Sequence, residues 1–398
     1  MNISNKYLVE AIVFLSYVLF AMAWVGGTAS MSQIMANLEL TSLASASFIS
    51  GAVTFAKIVG TFSAAYFAIR FGIKGAFFVS CLLVTLGLMT PYAPSYDWLL
   101  VSRFLMGLGG ALMIVYFNPI VMNWFAVEER ATINGLNAVA FNVGTAIVLW
   151  CMNDINALTG SWQNTLVLFS FLSGLLAIFW LFVKFDGTSS AAQEKQEGAV
   201  QYSYKSGITD SFNWAYALTY SGLLAFYICL FTFYPTAGIS ASKWVIGAGI
   251  IGTIAGMLYS RKIKQRVPVI RWSGLIQTVM VIGLSFSENA LIQTGSAILL
   301  GFFIFFPITA LVSIPHEMKK MSAGKITVVF SLFWSISYSV ATLVLWLFGL
   351  VVDWHQGDFF YAFVLISFVS SSFFLGSFFL PETNPKSDLS DKTEPTTE

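Results

Sequence analysis

Long apolar segments dominate the pattern of residues along the chain. The clearest of them, such as 75–96, 104–127 and 155–183, contain no Asp, Glu, Lys or Arg. A helix of that length crosses about 30 Å of hydrocarbon at about 1.5 Å per residue. With the shorter apolar segments included, the pattern predicts twelve membrane spans, placed roughly at 8–35, 43–69, 75–95, 98–124, 131–153, 161–184, 211–236, 242–260, 267–286, 289–314, 326–351 and 358–380.

Polar segments divide these spans into two groups of six. Residues 185–210 are small, polar or charged, which is typical of a flexible linker. The predicted domains are an N-terminal six-helix bundle at 1–184, a cytoplasmic linker at 185–210, a C-terminal six-helix bundle at 211–380 and a disordered cytoplasmic tail at 381–398. The predicted fold class is an all-α polytopic membrane protein with twelve transmembrane helices. The first apolar run is too long for a cleavable signal peptide, so we interpret it as a retained span.

Composition supports a membrane protein and excludes several other classes. Of the 398 residues, 57% are hydrophobic and only 10% are charged, and the mean hydropathy is +0.78. A soluble globular protein carries roughly a quarter charged residues. Lys and Arg total 20 against 19 Asp and Glu, so no basic excess indicates nucleic-acid binding. The three cysteines lie in apolar segments without a CxxC pair, which favours small apolar residues over metal ligands.

The distribution of basic residues predicts the orientation in the membrane. With twelve spans, 17 of the 20 Lys and Arg residues lie on the face shared by the two termini. The positive-inside rule then places both termini in the cytoplasm. We expect a multi-pass protein of the cell membrane, the inner membrane in a bacterium, and we expect a monomer.

The two halves of the chain resemble each other. Arg70 follows the second span and Arg261 follows the eighth, 191 residues later, while Glu128 and Glu317 follow spans four and ten at a separation of 189. Two loops that agree on nearly one offset favour duplication of a six-span unit. Chance similarity between two basic loops is the alternative.

Two segments resemble motifs of the major facilitator superfamily (MFS) of secondary transporters. The family carries a G-x-x-x-D-R-x-G-R-[RK] loop between spans two and three, and Arg70, Gly72 and Lys74 occupy matching positions. This chain departs from that pattern at Ala65, where the family has Gly, and at Ile69, where it has Asp.

The second resemblance is in span four. Its sequence RFLMGLGG, at 103–110, is similar to the family's R-x-x-x-G-x-G motif. The resemblance implies two bundles that close alternately around a central site, with spans one, four, seven and ten lining the cavity. It also implies that Arg70, Gly72, Lys74 and Arg261 belong to the loops that control gating. The family's G-x-x-x-G-P motif of drug antiporters is absent from span five.

Apart from the charged residues near span ends that the orientation count already includes, the apolar spans contain Glu10, Lys57 and Arg103. An ionised group in lipid costs roughly 2.5–3.5 kcal/mol on insertion scales, so such groups usually face a cavity or a partner. Lys57 lies near the middle of span two, and no carboxylate shares its predicted depth. We therefore predict that Lys57 binds a substrate anion. The alternative is a neutral lysine, or one bound by carbonyls and hydroxyls between helices.

Arg103 and Glu10 have two interpretations each. Arg103 either contacts substrate or braces the helices beside the glycine-rich face of span four. Glu10, near the membrane surface, is either a coupling group that binds a proton or a residue of the gate and helix interface.

Aromatic residues predict the walls of a binding site. Tyr216, Tyr220, Tyr227 and Tyr234 share one face of span seven. Glu10, Tyr17 and Trp24 repeat every seven residues on one face of span one. Tyrosine combines an apolar ring with a hydroxyl group, which suits a substrate with polar and apolar parts. Interfacial aromatic belts and ordinary packing are the alternatives. We predict that Tyr17, Tyr220 and Tyr227 line the cavity.

Other candidate binding residues lie on spans four and eleven. Trp334 and Tyr338 are four residues apart on span eleven, and Asn118 precedes Pro119 on span four, where a loosened helix can present an amide. Asn137 and Asn142 on span five are interpreted as hydrogen-bonding groups between helices.

The sequence therefore predicts a secondary transporter and not an enzyme. It contains no phosphate-binding loop, nucleophile elbow or cluster of metal ligands, and we expect no cofactor. The expected partners are the lipid bilayer, a small organic anion or zwitterion as substrate, and a co-transported or exchanged ion. Export of an amphipathic metabolite such as a siderophore and a non-transporting receptor of the same fold remain alternatives.

Overall fold

The computed structural model describes residues 3–185, 204–263, 265–318, 321 and 323–383. Within these ranges the named elements are all helices, and the one isolated bridge pairs Ile3 with Val183 at the ends of the N-terminal half.

Eleven helical segments are long and apolar enough to cross a membrane. One of them, Leu43–Tyr92, has 50 residues and contains Gly72 with φ 67° and ψ 168°, a conformation that glycine adopts without strain. This residue separates spans two and three, so the described residues include the twelve predicted spans. The segments are Lys6–Ala29, Leu43–Tyr92, Tyr96–Trp124, Thr132–Thr159, Trp162–Leu181, Ser211–Phe233, Ser242–Ser260, Val267–Phe286, Ala290–Glu317, Lys325–Trp354 and Phe360–Phe379.

Short polar side chains fix where many of the helices begin. At the start of a helix the first backbone N–H groups lack partners within the helix, and a side-chain oxygen at the preceding residue accepts from one of them. Six helices have such a cap, provided by Asn5, Ser42, Ser95, Ser161, Asp210 and Asn289. The polar residues between the apolar segments therefore set the span boundaries.

Glycine residues let the backbones of neighbouring helices approach each other closely. A Cβ at Gly252 in span eight would clash with the carbonyl of Phe302 in span ten, and one at Gly222 in span seven would clash with the carbonyl of Val369 in span twelve. Small residues at such contacts are typical of helix packing in lipid, where close van der Waals contact replaces the hydrophobic driving force.

Four boundaries differ from the sequence prediction. Span one ends at Ala29, and a separate helix follows at Met31–Asn37. Span ten is interrupted at Phe306 and Pro307, because proline cannot donate a backbone hydrogen bond. Most of the predicted linker lies outside the described residues, but its end forms the helix Tyr204–Thr209.

The fourth difference concerns the predicted tail, of which residues 384–398 lie outside the described residues. Its first residues are held against the C-terminal bundle. The Glu382 carboxylate accepts hydrogen bonds from the backbone N–H groups of Arg266 and Val267, and the Thr383 hydroxyl donates to Glu317 at 2.7 Å. Residues 382 and 383, which the sequence assigned to the tail, thus pack against the C-terminal bundle.

Candidate functional site

A cavity of about 660 Å³ lies between the two halves of the molecule. We call the membrane face at which span one begins the terminal face, and the opposite one the far face. Spans one, four, seven and ten contribute, as the resemblance implies, and so do spans two, five, eight and eleven. Nine lining side chains are aromatic: Tyr17, Trp24, Phe141, Tyr220, Tyr227, Phe231, Phe305, Trp334 and Tyr338.

The cavity opens toward the terminal face. Its lining there includes Asn134 near the start of span five and Ser313, His316 and Glu317 at the end of span ten. The mouth of the cavity therefore carries several polar side chains.

Ion pairs on the terminal face hold each bundle together separately. Lys6 and Glu129 pair at 2.7 Å within the N-terminal half, and the Lys6 ammonium holds the pKa of the Glu129 carboxyl below its ordinary value by donating a hydrogen bond to it. Arg266 and Glu317 pair at 2.6 Å within the C-terminal half. Neither pair crosses between the bundles, so neither one closes the cavity at this face.

Contacts between the bundles close the far side of the cavity. The Trp24 indole N–H donates to the Ser50 hydroxyl at 3.1 Å, and this hydroxyl is 3.1 Å from that of Thr232 in span seven. Nearby, the ring centroids of Trp24 and Phe231 are 5.5 Å apart. Thr232 and Phe231 belong to the C-terminal half, so these contacts join the two bundles.

At the far face itself, a carboxylate of one bundle caps a helix of the other. Asp353 at the end of span eleven accepts hydrogen bonds from the Ser42 hydroxyl and from the backbone N–H groups of Leu43 and Ala44, at 2.8–2.9 Å. A carboxylate at a helix N-terminus is favourable because it binds free N–H groups and opposes the helix dipole. We call this contact the far-face cap.

Lys57 lies at the closed end of the cavity within a cage of aromatic rings. Its side chain lines the cavity, the residue is 4% exposed, and its ammonium donates one hydrogen bond, to the Tyr17 hydroxyl at 3.4 Å. Cations are attracted to ring faces within about 6 Å. Five centroids lie 5.2–5.8 Å from the ammonium, those of Tyr17, Phe20, Trp24, Phe141 and Tyr338.

The structure brings six of the predicted binding residues into one cavity. Tyr17 and Lys57 line it from the N-terminal half; Tyr220, Tyr227, Trp334 and Tyr338 line it from the C-terminal half. The Trp334 and Tyr338 rings stack, with centroids 5.8 Å apart.

One hydrogen bond crosses the cavity wall between the bundles. The Tyr227 hydroxyl donates to Asn142 Oδ1 at 2.7 Å. This confirms the expectation that Asn142 forms a hydrogen bond between helices. Asn142 also lines the cavity. It is therefore a candidate binding residue that the sequence pattern assigned only to packing.

Arg103 is placed outside the cavity lining, which corrects its assignment as a binding residue. Its guanidinium is 1% exposed and donates to the carbonyls of Ile49, Ala23 and Trp24 at 2.7–2.9 Å. All three carbonyls belong to spans one and two. Arg103 thus connects spans one, two and four of one bundle. Its guanidinium N–H groups donate to backbone carbonyls and are not directed into the cavity.

Asn118 and Glu10 also lie outside the described lining. Asn118 is exposed, one helical turn beyond the lining residue Ile114. Glu10 is 4% exposed, and neither of its carboxylate oxygens has a hydrogen-bond partner among the described residues. The Asn137 amide lies close to Glu10, but neither side chain makes a hydrogen bond in the described part of the chain, so the hydrogen bond between helices expected of Asn137 is not observed.

The hydrogen bonds described for Lys74, in one of the predicted gating loops, stay within its own bundle. The Lys74 ammonium donates to the Leu181 carbonyl at 3.0 Å, and the Trp180 indole donates to the Lys74 carbonyl at 2.9 Å. Arg70 and Arg261 are exposed. Gly72 provides the turn between spans two and three.

Several lining residues had no distinguishing signal in the sequence. Phe141, Phe231 and Phe305 are three of 38 phenylalanines, and nothing in their spacing separates them from those that face lipid. His316 also lines the cavity, and no neighbouring residue in the sequence marks it as part of a site.

Known proteins support this architecture at the level of the family. The family model described as Major Facilitator Superfamily matches residues 13–342. The chain belongs to the major facilitator superfamily of secondary transporters, which move substrates by alternating access of a central site to the two sides of the membrane.

Individual relatives are distant. An uncharacterized protein of Campylobacter jejuni is 29% identical over 269 residues, covering 64% of this chain and 82% of its own. The inward-open xylose transporter XylE from E. coli has a TM-score of 0.75 at 14% identity, over 98% of this chain and 100% of its own. An inward-facing bacterial homologue of the human lysosomal transporter Spinster has a TM-score of 0.69 at 15% identity, over 95% of this chain and 98% of its own.

Proposed function

We propose that this transporter moves a small organic anion or zwitterion and that Lys57 binds the negative group of the substrate. The observation that supports the proposal is the position of the Lys57 ammonium at the closed end of the cavity, with one hydrogen-bond acceptor and no carboxylate partner among the described residues. An ammonium group has three N–H donors, so two remain for a ligand.

The proposed location is a bacterial inner membrane. The distribution of basic residues supports an orientation with both termini in the cytoplasm. The terminal face is then the cytoplasmic face, and the structure is open to the inside. The proposed unit is a monomer, because one chain contains both bundles and the whole described cavity.

Replacing Lys57 with methionine is expected to weaken substrate binding about tenfold or more, because a charge-assisted hydrogen bond contributes about 1.5–3 kcal/mol. Uptake and efflux of a labelled panel of organic acids and amino acids in proteoliposomes would measure this. Lys243→Met, which removes a lysine near the far face, is the control. Equal transport of anionic compounds by wild type and Lys57→Met would contradict the proposed role of Lys57.

We also propose that Glu10 couples transport to protons. Its buried carboxyl has no described partner, so its charged form is poorly stabilised where it lies. In proteoliposomes with an imposed pH gradient, Glu10→Gln is expected to abolish gradient-driven accumulation while exchange of labelled for unlabelled substrate persists. Glu288→Gln, at an exposed site, should retain both. Accumulation by Glu10→Gln at the wild-type level would exclude this coupling role.

A further inference from the structure

We infer that the substrate is a monoanion with an apolar body that contains a ring, rather than a zwitterion or a dianion. This inference rests on the proposed function, since it assumes that Lys57 binds the substrate. It narrows the substrate class from the charges and surfaces along the whole described cavity.

The cavity offers one charge partner at its closed end. Among its described lining residues, Lys57, His316 and Glu317 are the ones with ionisable acidic or basic side chains, apart from tyrosines. Glu317 lies at the mouth, where its oxygens already accept from Arg266 and Thr383. Twelve residues separate Glu317 from Phe305, whose ring is 5.4 Å from that of Tyr227 deep in the cavity. This corresponds to about 18 Å along a helix.

An α-amino acid does not fit this arrangement of charges. Its ammonium is attached to the carbon beside the carboxylate, so a carboxylate bound to Lys57 would bring a second cation close to Lys57. The ring faces of Tyr17, Trp24 and Tyr338 already surround the lysine ammonium. The substrate ammonium would lose its hydration without gaining a carboxylate, which is unfavourable in a site of this kind.

A second carboxylate on the substrate is also unfavourable, because it would lack a partner of opposite charge in the cavity. The described lining supplies no other lysine or arginine, and His316 lies at the mouth of the cavity. A short dianion held at Lys57 would therefore bury one carboxylate without a cationic partner.

The walls between Lys57 and the mouth favour an apolar body. They include the rings of Phe141, Tyr220, Tyr227, Phe305 and Trp334, and the cavity volume of about 660 Å³ exceeds that needed for a single ring. Aromatic rings gain additional energy from stacked or edge-on contacts with other rings. An acid with its carboxylate at Lys57 and its ring toward the terminal face would use both features.

Four related compounds test the inference by binding to the purified full-length protein, measured by calorimetry and by tryptophan fluorescence. Hydrocinnamate is the reference; L-phenylalanine adds an ammonium, phenylsuccinate adds a carboxylate, and hydrocinnamyl alcohol removes the charge. Hydrocinnamate should bind at least about tenfold more tightly than each of the other three compounds. The alcohol lacks the charged hydrogen bond to Lys57, and the other two compounds each bury a charge that has no partner. In Lys57→Met the acid should bind no better than the alcohol.

The outcomes separate this inference from the proposed function. Binding of L-phenylalanine or phenylsuccinate as tight as that of hydrocinnamate, and lost in Lys57→Met, would overturn the monoanion class and leave Lys57 as the anion-binding residue. No binding of hydrocinnamate would overturn the inference, whereas the labelled panel would still decide the proposed function. Equal hydrocinnamate binding by wild type and Lys57→Met would overturn both.

Discussion

Arg103→Met is expected to destabilise the protein by about 2–4 kcal/mol. Each charge-assisted hydrogen bond contributes about 1.5–3 kcal/mol, and the guanidinium makes three of them to backbone carbonyls. Removing a buried charge returns part of this energy, because burial of an ionised group is itself costly. The loss should appear as a lower melting temperature of the purified protein and as a lower yield from membranes.

Two further variants distinguish a brace from a substrate contact. Gly27→Ala leaves Arg103 in place but puts a methyl group against its guanidinium, so it should destabilise the protein in the same direction. Arg130→Met, which removes a partly exposed arginine bonded to the carbonyls of Phe125 and Met122, should change stability much less. If Arg103→Met kept wild-type stability and lost only substrate binding, Arg103 would be a binding residue after all.

The fold could be predicted from the sequence because lipid leaves few alternatives. Every backbone polar group must be satisfied within the membrane, so long uncharged segments become helices and their number can be counted. The interruptions were harder to predict. Phe306 and Pro307 break span ten without changing its apolar character, and Ala29 ends span one within an apolar run.

The candidate site could be predicted only where its residues are rare. Lys57 was found because a charge in an apolar span is unusual, and Tyr220 because tyrosines share one face of span seven. Arg103 is equally rare, but the sequence does not show whether its partners are carbonyls or a ligand. Asn142 and Phe141 contribute through tertiary contacts between bundles, which no periodicity within one span reveals.

The contacts between bundles explain why the cavity opens at one face. The far-face cap and the hydrogen bonds of Ser50 and Thr54 with Thr232 and Thr342 all join the two halves. Among the described residues, the ion pairs of the terminal face, such as Lys6–Glu129 and Arg266–Glu317, lie within single bundles. Alternating access therefore requires the far-face contacts to break, and their strength sets the population of the observed state.

Gly349→Leu is expected to shift the protein toward a state open at the far face. A Cβ at Gly349 would lie 2.8 Å from the Ala44 Cα and N atoms and 2.8 Å from the Leu43 carbonyl oxygen. These are backbone atoms of the opposite bundle and cannot rotate away. Overpacking of this kind costs about 1–3 kcal/mol, and it penalises only the state in which spans two and eleven touch. The far-face cap, which Asp353 makes four residues further along span eleven, would break in the same movement.

Thiol labelling in a Cys151→Ser background measures this shift. A cysteine at Asn134, at the mouth of the cavity, should react about tenfold more slowly in Gly349→Leu than in wild type. A cysteine at Ser47, which is 1% exposed and one turn inside the far end of span two, should react faster. Gly295→Leu is the control, because a Cβ there meets no atom within 4 Å. Unchanged labelling at both sites would show that the contact at Gly349 does not limit opening of the far face.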